Sequence, residues 1–339
     1  MRKIILLSII SVLVLSLAGC GGGAPSYVSR NAFLLDTIVT IKIYDQDVPE
    51  TVWDDAFGEI ERLDALLSAH TEGSDTARIN EAAGVSPVTV SLETMDVIEK
   101  GIEYSRMTGG LFDITAGPLI SLWAINPPEG HVPTETELAE TLPLIGWQDL
   151  EIDEAQSQVY LARVGMAVDL GAIAKGYIAD KVKETLAADG IEHAIISLGG
   201  NIQLIGDTPY GIGIQDPDQG SGVYLGRVTL TGMSAASSGD YERYFEENGV
   251  RYHHILDPVT GYPADTGLRG VSVIAPHSVD ADALSTAVFL LGPEAGMALI
   301  EGLSGIEAVL VTDDREVLLS SGLEENFELV EGTGYRVSS

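Results

Sequence analysis

An aspartate and a threonine four residues apart are the side chains of this sequence best suited to hold a metal ion. Asp282 and Thr286 belong to the segment Asp280-Ala281-Asp282-Ala283-Leu284-Ser285-Thr286, at the predicted start of a helix. Residues four apart share one face of a helix. Carboxylate and hydroxyl oxygens on that face suit a hard cation such as Mg2+, which keeps several waters and bridges phosphates. The alternative is that Asp280 or Asp282 only caps the helix.

A second acid stands six residues before a lysine. The segment Val168-Asp169-Leu170-Gly171-Ala172-Ile173-Ala174-Lys175-Gly176-Tyr177 places Asp169 at the end of a predicted strand and Lys175 at the start of a helix. A carboxylate accepts hydrogen bonds from hydroxyl or nucleobase donors, and a lysine at a helix start can meet an anion. The two side chains could equally form a salt bridge with each other.

Two histidines and two glycine-rich turns complete the candidate chemistry. His253 and His254 lie on a predicted strand before Asp257-Pro258, and one member of such a pair usually faces outwards. The turns at residues 109–119 and 197–201 allow backbone amides to approach a ligand closely. Taken singly, such turns are often no more than turns.

Several common catalytic motifs are absent. The sequence has no Gly-x4-Gly-Lys phosphate loop, no His-Glu-x-x-His, no Cys-x-x-Cys and no Gly-x-Ser-x-Gly. Gly211-Ile212-Gly213 begins a dinucleotide-binding pattern, but Asp216 stands at its third glycine position. The site must therefore be of another kind.

The first residues have the organisation of a secretory signal. Arg2 and Lys3 are followed by an apolar stretch at residues 4–17 and then by Leu17-Ala18-Gly19-Cys20. The apolar stretch is shorter than the roughly 20 residues of a membrane-spanning helix. Because Leu-Ala-Gly-Cys resembles the lipobox of bacterial lipoproteins, we expect residues 1–19 to be a lipoprotein signal peptide. The alternative is an ordinary signal peptide that happens to contain a cysteine.

Cys20 would then be the lipid anchor, and residues 20–30 a short lipidated tether. The protein is expected outside the cytoplasm, attached to the cell membrane. Cys20 is the only cysteine, so the exported domain has no disulfide and must rest on its own core.

The charge balance excludes one class of partner. Lys+Arg 18 against Asp+Glu 51 gives a net charge of -33, and removal of Arg2 and Lys3 with the signal lowers it to -35. Such a field repels nucleic acid. An anionic substrate would need a metal ion or a few placed cations. A hydrophobic content of 45% with 20% charged residues is typical of a folded protein.

The hydrophobic periodicity predicts one compact α+β domain over residues 31–339, of mixed sheets and helices in one or two lobes. Loop-like regions are expected at residues 68–84 and 127–143. Helices are predicted at residues 49–67, 92–106, 135–140, 175–189, 280–291 and 293–301. Strands are predicted at residues 32–44, 158–161, 165–169, 193–197, 210–215, 223–230, 233–238, 252–256, 271–274, 307–312 and 316–320.

In combination, these segments resemble the ApbE family, the FAD:protein FMN transferases, whose members are often lipoproteins. The resemblance covers nearly the whole mature chain in order. It rests on residues 36–39, 74–80, 110–123, 169–180, 197–201, Ser237-Ser238-Gly239-Asp240-Tyr241-Glu242-Arg243, 254–258 and 282–292.

The resemblance implies a T-fold-like domain that binds FAD with Mg2+ on its pyrophosphate and passes FMN to a threonine or serine hydroxyl, releasing AMP. It implies metal ligation by Asp282, Thr286 and the backbone carbonyl of Ala172. His254 matches the family's motif histidine and is the candidate general base, since imidazole titrates near neutral pH. The positions implied to contact FAD are Leu35, His70, Leu111, Phe112, Asp113, Asp169, Lys175 and Ile255.

The expected partner is another protein. The chain contains no Ser/Thr-Gly-Ala-Thr stretch of the kind this family modifies, so it is not expected to flavinylate itself. By resemblance, the acceptor is a membrane-associated redox subunit with a flavinylation motif. Two alternatives stay open: an FAD pyrophosphatase that gives FMN and AMP, and a flavin-binding lipoprotein without catalysis.

Overall fold

The described part of the chain contains both strands and helices, with most helices in its first half and most strands in its second. The computed structural model describes residues 26–125 and 130–338. The predicted signal peptide and Cys20 lie outside these residues, so the lipid anchor stays a prediction. The strands are Val28–Leu34 (β1), Thr37–Ile43 (β2), Val88–Thr89 (β3), Leu150–Asp153 (β4), Gln158–Leu161 (β5), Ala194–Leu198 (β6), Asn201–Ile205 (β7), Tyr210–Gln215 (β8), Tyr224–Leu230 (β9), Ser234–Gly239 (β10), Tyr244–Glu247 (β11), Val250–His253 (β12), Leu268–Ala275 (β13), Glu307–Thr312 (β14), Glu316–Leu319 (β15), Phe327–Leu329 (β16) and Arg336–Ser338 (β17).

Seven α-helices accompany these strands in the described residues. They are Glu50–Leu67 (α1), Asp75–Glu81 (α2), Leu92–Met107 (α3), Gly117–Trp123 (α4), Glu135–Thr141 (α5), Ala174–Ala188 (α6) and Ser278–Glu301 (α7). The predicted α+β class is confirmed, and the described strands form several open sheets.

One nine-stranded sheet organises the fold. Its order is β1-β2-β6-β7-β10-β13-β14-β15-β17, and neighbouring strands are antiparallel except for the parallel pair β15 and β17. Smaller sheets have the orders β16-β9-β8 and β3-β5-β4, and β11 pairs with β12 as a hairpin.

Both faces of the large sheet are covered. In β14, Ala308 and Leu310 pack into the main core with α1, α6 and α7, whereas Val309 and Val311 pack against β8 and β9. Successive side chains of a strand point to opposite faces, so the four central residues of this strand, 308–311, are all apolar. The central sheet therefore supports α6 and α7, which pack on one of its faces.

The predicted strand at residues 32–44 is wrong in its extent. The structure has two antiparallel strands there, β1 and β2, joined by a two-residue turn at Leu35 and Asp36. Both residues have positive φ, 55° and 54°, as a tight hairpin turn of this type requires. Because apolar residues flank the turn on both sides, Phe33 and Leu34 before it and Ile38 and Val39 after it, the pattern alone suggested one strand beginning four residues later.

Two other predicted strands are also wrong. Residues 165–169 contain only an isolated bridge between Ala167 and Ala116, and β12 ends at His253 instead of continuing to residue 256. The loop predicted at residues 68–84 contains α2. Ser74 is the N-cap residue of α2, and its side chain accepts a hydrogen bond from Ala77 N at 2.9 Å. The turn-rich composition of the segment had indicated a loop instead.

The two helices predicted at residues 280–291 and 293–301 are the two halves of α7. The helix is kinked at residue 292, between the two predicted segments. Gly292 has φ 80° and ψ 177°, and Pro293 follows it. α7 is long and apolar enough to cross a membrane by composition, but most of its residues are buried against α6, β10 and β13. It is therefore the core helix of this fold.

Candidate active site

The N-terminal ends of α6 and α7 meet at Gly176 and Asp282. The backbone N–H of Gly176 donates to Asp282 Oδ2 at 2.8 Å. A side chain on Gly176 would collide with Ser278 O, at 2.3 Å from its Cβ. Only glycine permits this approach, and it places the Asp282 carboxylate in the positive field of the α6 N-terminus.

The same hydrogen bond frees a carbonyl oxygen. In a regular helix the Gly176 N–H would donate to the carbonyl four residues earlier, that of Ala172. Because it donates to Asp282 instead, the Ala172 carbonyl is available to a ligand in the turn that precedes α6.

Oxygen donors suited to Mg2+ lie on the elements that form this junction. The Asp282 side chain is only 6% exposed, and its Oδ1 lies 3.8 Å from Lys175 Nζ, beyond hydrogen-bond distance. Thr286, one turn further along α7, has its hydroxyl 3.1 Å from Ser238 Oγ of β10. A carboxylate, a hydroxyl and the Ala172 carbonyl are the hard ligands that Mg2+ prefers, so the residues present fit this ion.

Neither Asp280 nor Asp282 caps α7. The backbone N–H groups of Ser278 and Val279 both donate to the Asp180 carboxylate of α6 at 2.9 Å. Asp280 instead accepts from Tyr104 and Lys100 of α3. The capping alternative is thereby excluded for Asp282, whose carboxylate faces the junction.

A second acidic group in the described residues is built differently. Asp45, Glu192 and His193 lie close enough to share an ion. However, the Asp45 carboxylate already accepts from the backbone N–H groups of Glu192 and His193, at 3.1 and 2.9 Å. This group holds β2 to β6 at the strand ends away from the α6–α7 junction.

The two neighbouring histidines have different roles. His253 is buried and uses both ring nitrogens: Nε2–H donates to Ala264 O at 3.1 Å, and Nδ1 accepts from Ile255 N at 3.3 Å. His254 is half-buried, and its Nδ1 lies 3.3 Å from the carbonyl oxygen of Arg243. His253 is therefore structural, and His254 is the histidine with a ring nitrogen to spare.

The environment of His254 keeps it neutral. Burial and then the charge of Arg243 hold the pKa of His254 well below its ordinary value. A neutral imidazole whose Nδ1–H donates to a carbonyl carries its lone pair on Nε2. His254 can thus accept a proton at neutral pH.

Glu242 is a charged neighbour that the sequence analysis did not single out. Its side chain reaches solvent, but protein surrounds it closely enough that desolvation raises its pKa to about 7, against the opposing charges of Lys175 and Arg243. Asp282 raises this pKa further. These mutual effects place Glu242 near Lys175, Asp282 and Arg243.

Comparison with known proteins identifies the family. The family model described as "ApbE family" matches residues 35–310. The FAD:protein FMN transferase of Klebsiella pneumoniae (strain 342) is 38% identical over 91% of this chain and 96% of its own length, and that of Treponema pallidum (strain Nichols) is 35% identical over 95% and 96%.

The chain belongs to the ApbE family. The predicted resemblance is confirmed.

Solved structures of ApbE proteins have the same fold. The Thermotoga maritima ApbE protein superimposes with a TM-score of 0.81 at 32% identity, covering 88% of this chain and 98% of that one. The Pseudomonas stutzeri flavinyl transferase ApbE, in its apo form, gives a TM-score of 0.74 at 30% identity, covering 85% and 91%.

The implied FAD contacts of this ApbE chain occupy several elements. Leu35 forms the β1–β2 turn, His70 is exposed after α1, and Leu111 is half-buried before α4. Phe112 and Ile255 are buried, at 2% and 4% exposure. The contact of these five side chains with FAD stays a prediction.

Asp113 is committed to holding two loops together. Its Oδ1 accepts from the backbone and hydroxyl of Thr115 at 2.8 and 2.7 Å, and its Oδ2 accepts from Trp147 N at 3.0 Å. Burial raises the pKa of Asp113, and these hydrogen bonds oppose the rise. A contact of its carboxylate with FAD, as the ApbE resemblance implies, stays a prediction.

Asp169 and Lys175 do not pair with each other in the described structure. Asp169 Oδ1 accepts from Gly171 N at 2.8 Å, and Lys175 Nζ donates to Gly171 O at 3.3 Å. Asn80, which the sequence analysis did not name as a site residue, fixes this segment: its side-chain amide exchanges two hydrogen bonds with the backbone of Val168, at 2.7 and 2.9 Å. The only indication of Asn80 in the sequence was that it lies in segment 74–80, one of the segments that resemble the ApbE family.

Proposed function

We propose that this ApbE protein is an FAD:protein FMN transferase that uses Mg2+ and modifies a threonine or serine hydroxyl of another protein. The observation that carries the proposal is the junction of α6 and α7, where oxygen donors suited to Mg2+ stand near a neutral histidine. Asp282, Thr286 and the Ala172 carbonyl would hold the Mg2+. The bound ion would neutralise charge on the pyrophosphate of FAD.

The reaction forms one phosphorus–oxygen bond and breaks another. The acceptor hydroxyl oxygen attacks the phosphorus of the FMN half, and the bond from that phosphorus to the bridging oxygen breaks. AMP leaves with the bridging oxygen. FMN is then joined to the acceptor through a phosphodiester.

His254 would accept the proton of the attacking hydroxyl. Its lone pair lies on Nε2, because Nδ1–H is directed at the Arg243 carbonyl. Its lowered pKa keeps this nitrogen unprotonated at neutral pH, so no proton has to leave before the reaction.

Lys175 would add positive charge where the substrate is anionic. It lies on the first turn of α6, 3.8 Å from Asp282 Oδ1, and its side chain is 27% exposed. In a chain of net charge -33, a cation beside the metal ligands reduces repulsion of a pyrophosphate.

We further propose that the chain is a lipoprotein anchored through Cys20 on the outer side of the cell membrane. Because β1 begins at Val28, seven residues separate Cys20 from the fold. Extended, they would reach roughly 25 Å, at about 3.3–3.6 Å per residue. This reach supports a membrane-associated acceptor.

The decisive experiment incubates the detergent-purified chain with FAD, Mg2+ and a peptide that carries Thr-Gly-Ala-Thr, and weighs the products by mass spectrometry. The expected result is a peptide heavier by FMN, with AMP released. Free FMN and AMP without modified peptide would instead indicate the pyrophosphatase, and unchanged FAD the binding protein. The same reaction in EDTA tests the metal.

A further inference from the structure

Arg243 stands apart from the other arginines of the described chain. Nine of them form ion pairs with carboxylates, and Arg106 lies over the ring of Trp147. Among the residues the structure describes, the Arg243 guanidinium has no ion pair, hydrogen bond or aromatic partner. With 51 acidic residues against 18 basic ones, an arginine without a carboxylate needs an explanation.

The backbone fixes Arg243 opposite His254. The Arg243 carbonyl accepts from His254 N at 3.1 Å and from His254 Nδ1, at 3.3 Å. This pair continues the register of β11 and β12, in which Tyr244 is opposite His253. Directly opposite residues of an antiparallel pair project their side chains from the same face. The Arg243 guanidinium therefore emerges on the face of the His254 imidazole.

The charge of Arg243 acts within the site. Besides burial, its positive charge contributes to the lowered pKa of His254. Burial raises the pKa of Glu242, and the charges of Lys175 and, to a smaller extent, Arg243 oppose that rise. Lys175 is partly engaged, since it donates to Gly171 O and lies near Asp282. Within the described residues, Arg243 is thus the free cation on the histidine side of the site.

We propose that Arg243 binds the phosphate that is transferred, donating hydrogen bonds from its guanidinium to the non-bridging oxygens of the FMN phosphate. The inference rests on the proposed function, which requires that phosphate to lie near His254. A planar guanidinium matches two phosphate oxygens at once. Under this proposal the two ends of the site bind different parts of the substrate. The metal and Lys175, on the α6–α7 side, neutralise charge on the pyrophosphate, and Arg243, on the histidine side, binds the FMN phosphate.

The test compares ligands with and without a phosphate. Arg243→Gln, Arg243→Lys and the control Arg227→Gln are made in the full chain, and binding of FAD, FMN and riboflavin is followed by flavin fluorescence in the presence of Mg2+. Arg227 is an exposed arginine of β9, paired with Glu328. Its replacement removes one cation from the surface without touching the site.

The expected result is a roughly tenfold or greater loss of FMN and FAD affinity in Arg243→Gln, as for a charge-assisted hydrogen bond. Riboflavin binding should stay unchanged, Arg243→Lys should recover part of the loss, and Arg227→Gln should match the wild type. Equal losses for riboflavin and FMN would show a merely structural role, and unchanged FMN affinity would also overturn the inference. A wild-type chain that transfers no flavin would instead refute the proposed function.

Discussion

Replacing Gly176 by alanine should separate the two helices that carry the site. The added Cβ would lie 2.3 Å from Ser278 O and 2.7 Å from Asp282 Cβ. Carbon atoms in contact prefer separations of about 3.5–4.0 Å, so the helices must move apart by roughly 1 Å. The 2.8 Å hydrogen bond from Gly176 N to Asp282 would lengthen with them.

Two opposing effects set the size of the stability change. Alanine has a higher helix propensity than glycine, by up to about 1 kcal/mol, and forced overpacking costs about 1–3 kcal/mol. Because a backbone carbonyl of α7 blocks the new methyl group, we expect overpacking to dominate, with a net loss of about 1–2 kcal/mol. Gly58 in α1 is the matched control, since a Cβ there meets nothing within 4 Å. Gly58→Ala should stabilise the chain by about 0.5–1 kcal/mol.

Urea unfolding followed by circular dichroism measures the change in stability. A Mg2+ titration of flavin transfer measures the change at the metal site. Gly176→Ala should unfold at lower urea than the wild type and need more Mg2+ for half-maximal transfer, whereas Gly58→Ala should do neither. The reasoning is refuted if Gly176→Ala is stabilised like Gly58→Ala, or if it keeps the wild-type Mg2+ requirement.

Four further predictions concern the ionisable groups of the site. His254→Gln should slow transfer about a hundredfold or more while FAD binding is retained, and unchanged turnover would remove His254 as the base. Because the pKa of His254 is lowered, protonation of His254 should not reduce wild-type transfer between about pH 8 and the ordinary histidine value near 6.5; a loss in this range that the His254→Gln variant shares would come from another group such as Glu242, and a loss confined to the wild type would contradict the lowered pKa. Asp282→Ala should abolish Mg2+-dependent transfer, and full activity in EDTA would contradict the metal role. Glu242→Gln should raise the melting temperature more at about pH 8 than at about pH 4.5, because a carboxyl whose pKa is raised to about 7 destabilises the folded state once it ionises; an equal effect at both pH values would show that Glu242 is not desolvated.

Local patterns were sufficient for most helices and several strands. β8 and β14 have the predicted bounds, and α1 differs from its prediction by one residue. The apolar residues of β8 and α1 recur with the period of the element, and β14 is a short continuous apolar run; both patterns are properties of the chain itself. The strand at residues 32–44 failed because a two-residue turn without glycine, at Leu35 and Asp36, leaves no mark in the hydrophobic pattern.

The candidate site was predictable only where its residues lie on one element. Asp282 and Thr286 are four residues apart on α7, so their common face follows from helix geometry. Arg243 and Glu242 were inside a family-like segment, yet nothing in that segment shows that the Arg243 carbonyl meets His254. That contact spans 11 residues and depends on the pairing of β11 with β12.

The sequence by itself determined the oxygen donors on α7, the histidine pair and the family. Only the tertiary structure decided that Gly176 donates to Asp282, 106 residues away. It also decided that both ring nitrogens of His253 bond to backbone groups, which leaves His254 as the histidine with an available ring nitrogen. The physical reason is that periodicity specifies which face of an element is buried, whereas contacts between elements depend on how closely two helices or strands can approach. At this site the approach is set by a missing Cβ at Gly176, which no local pattern distinguishes from an ordinary glycine.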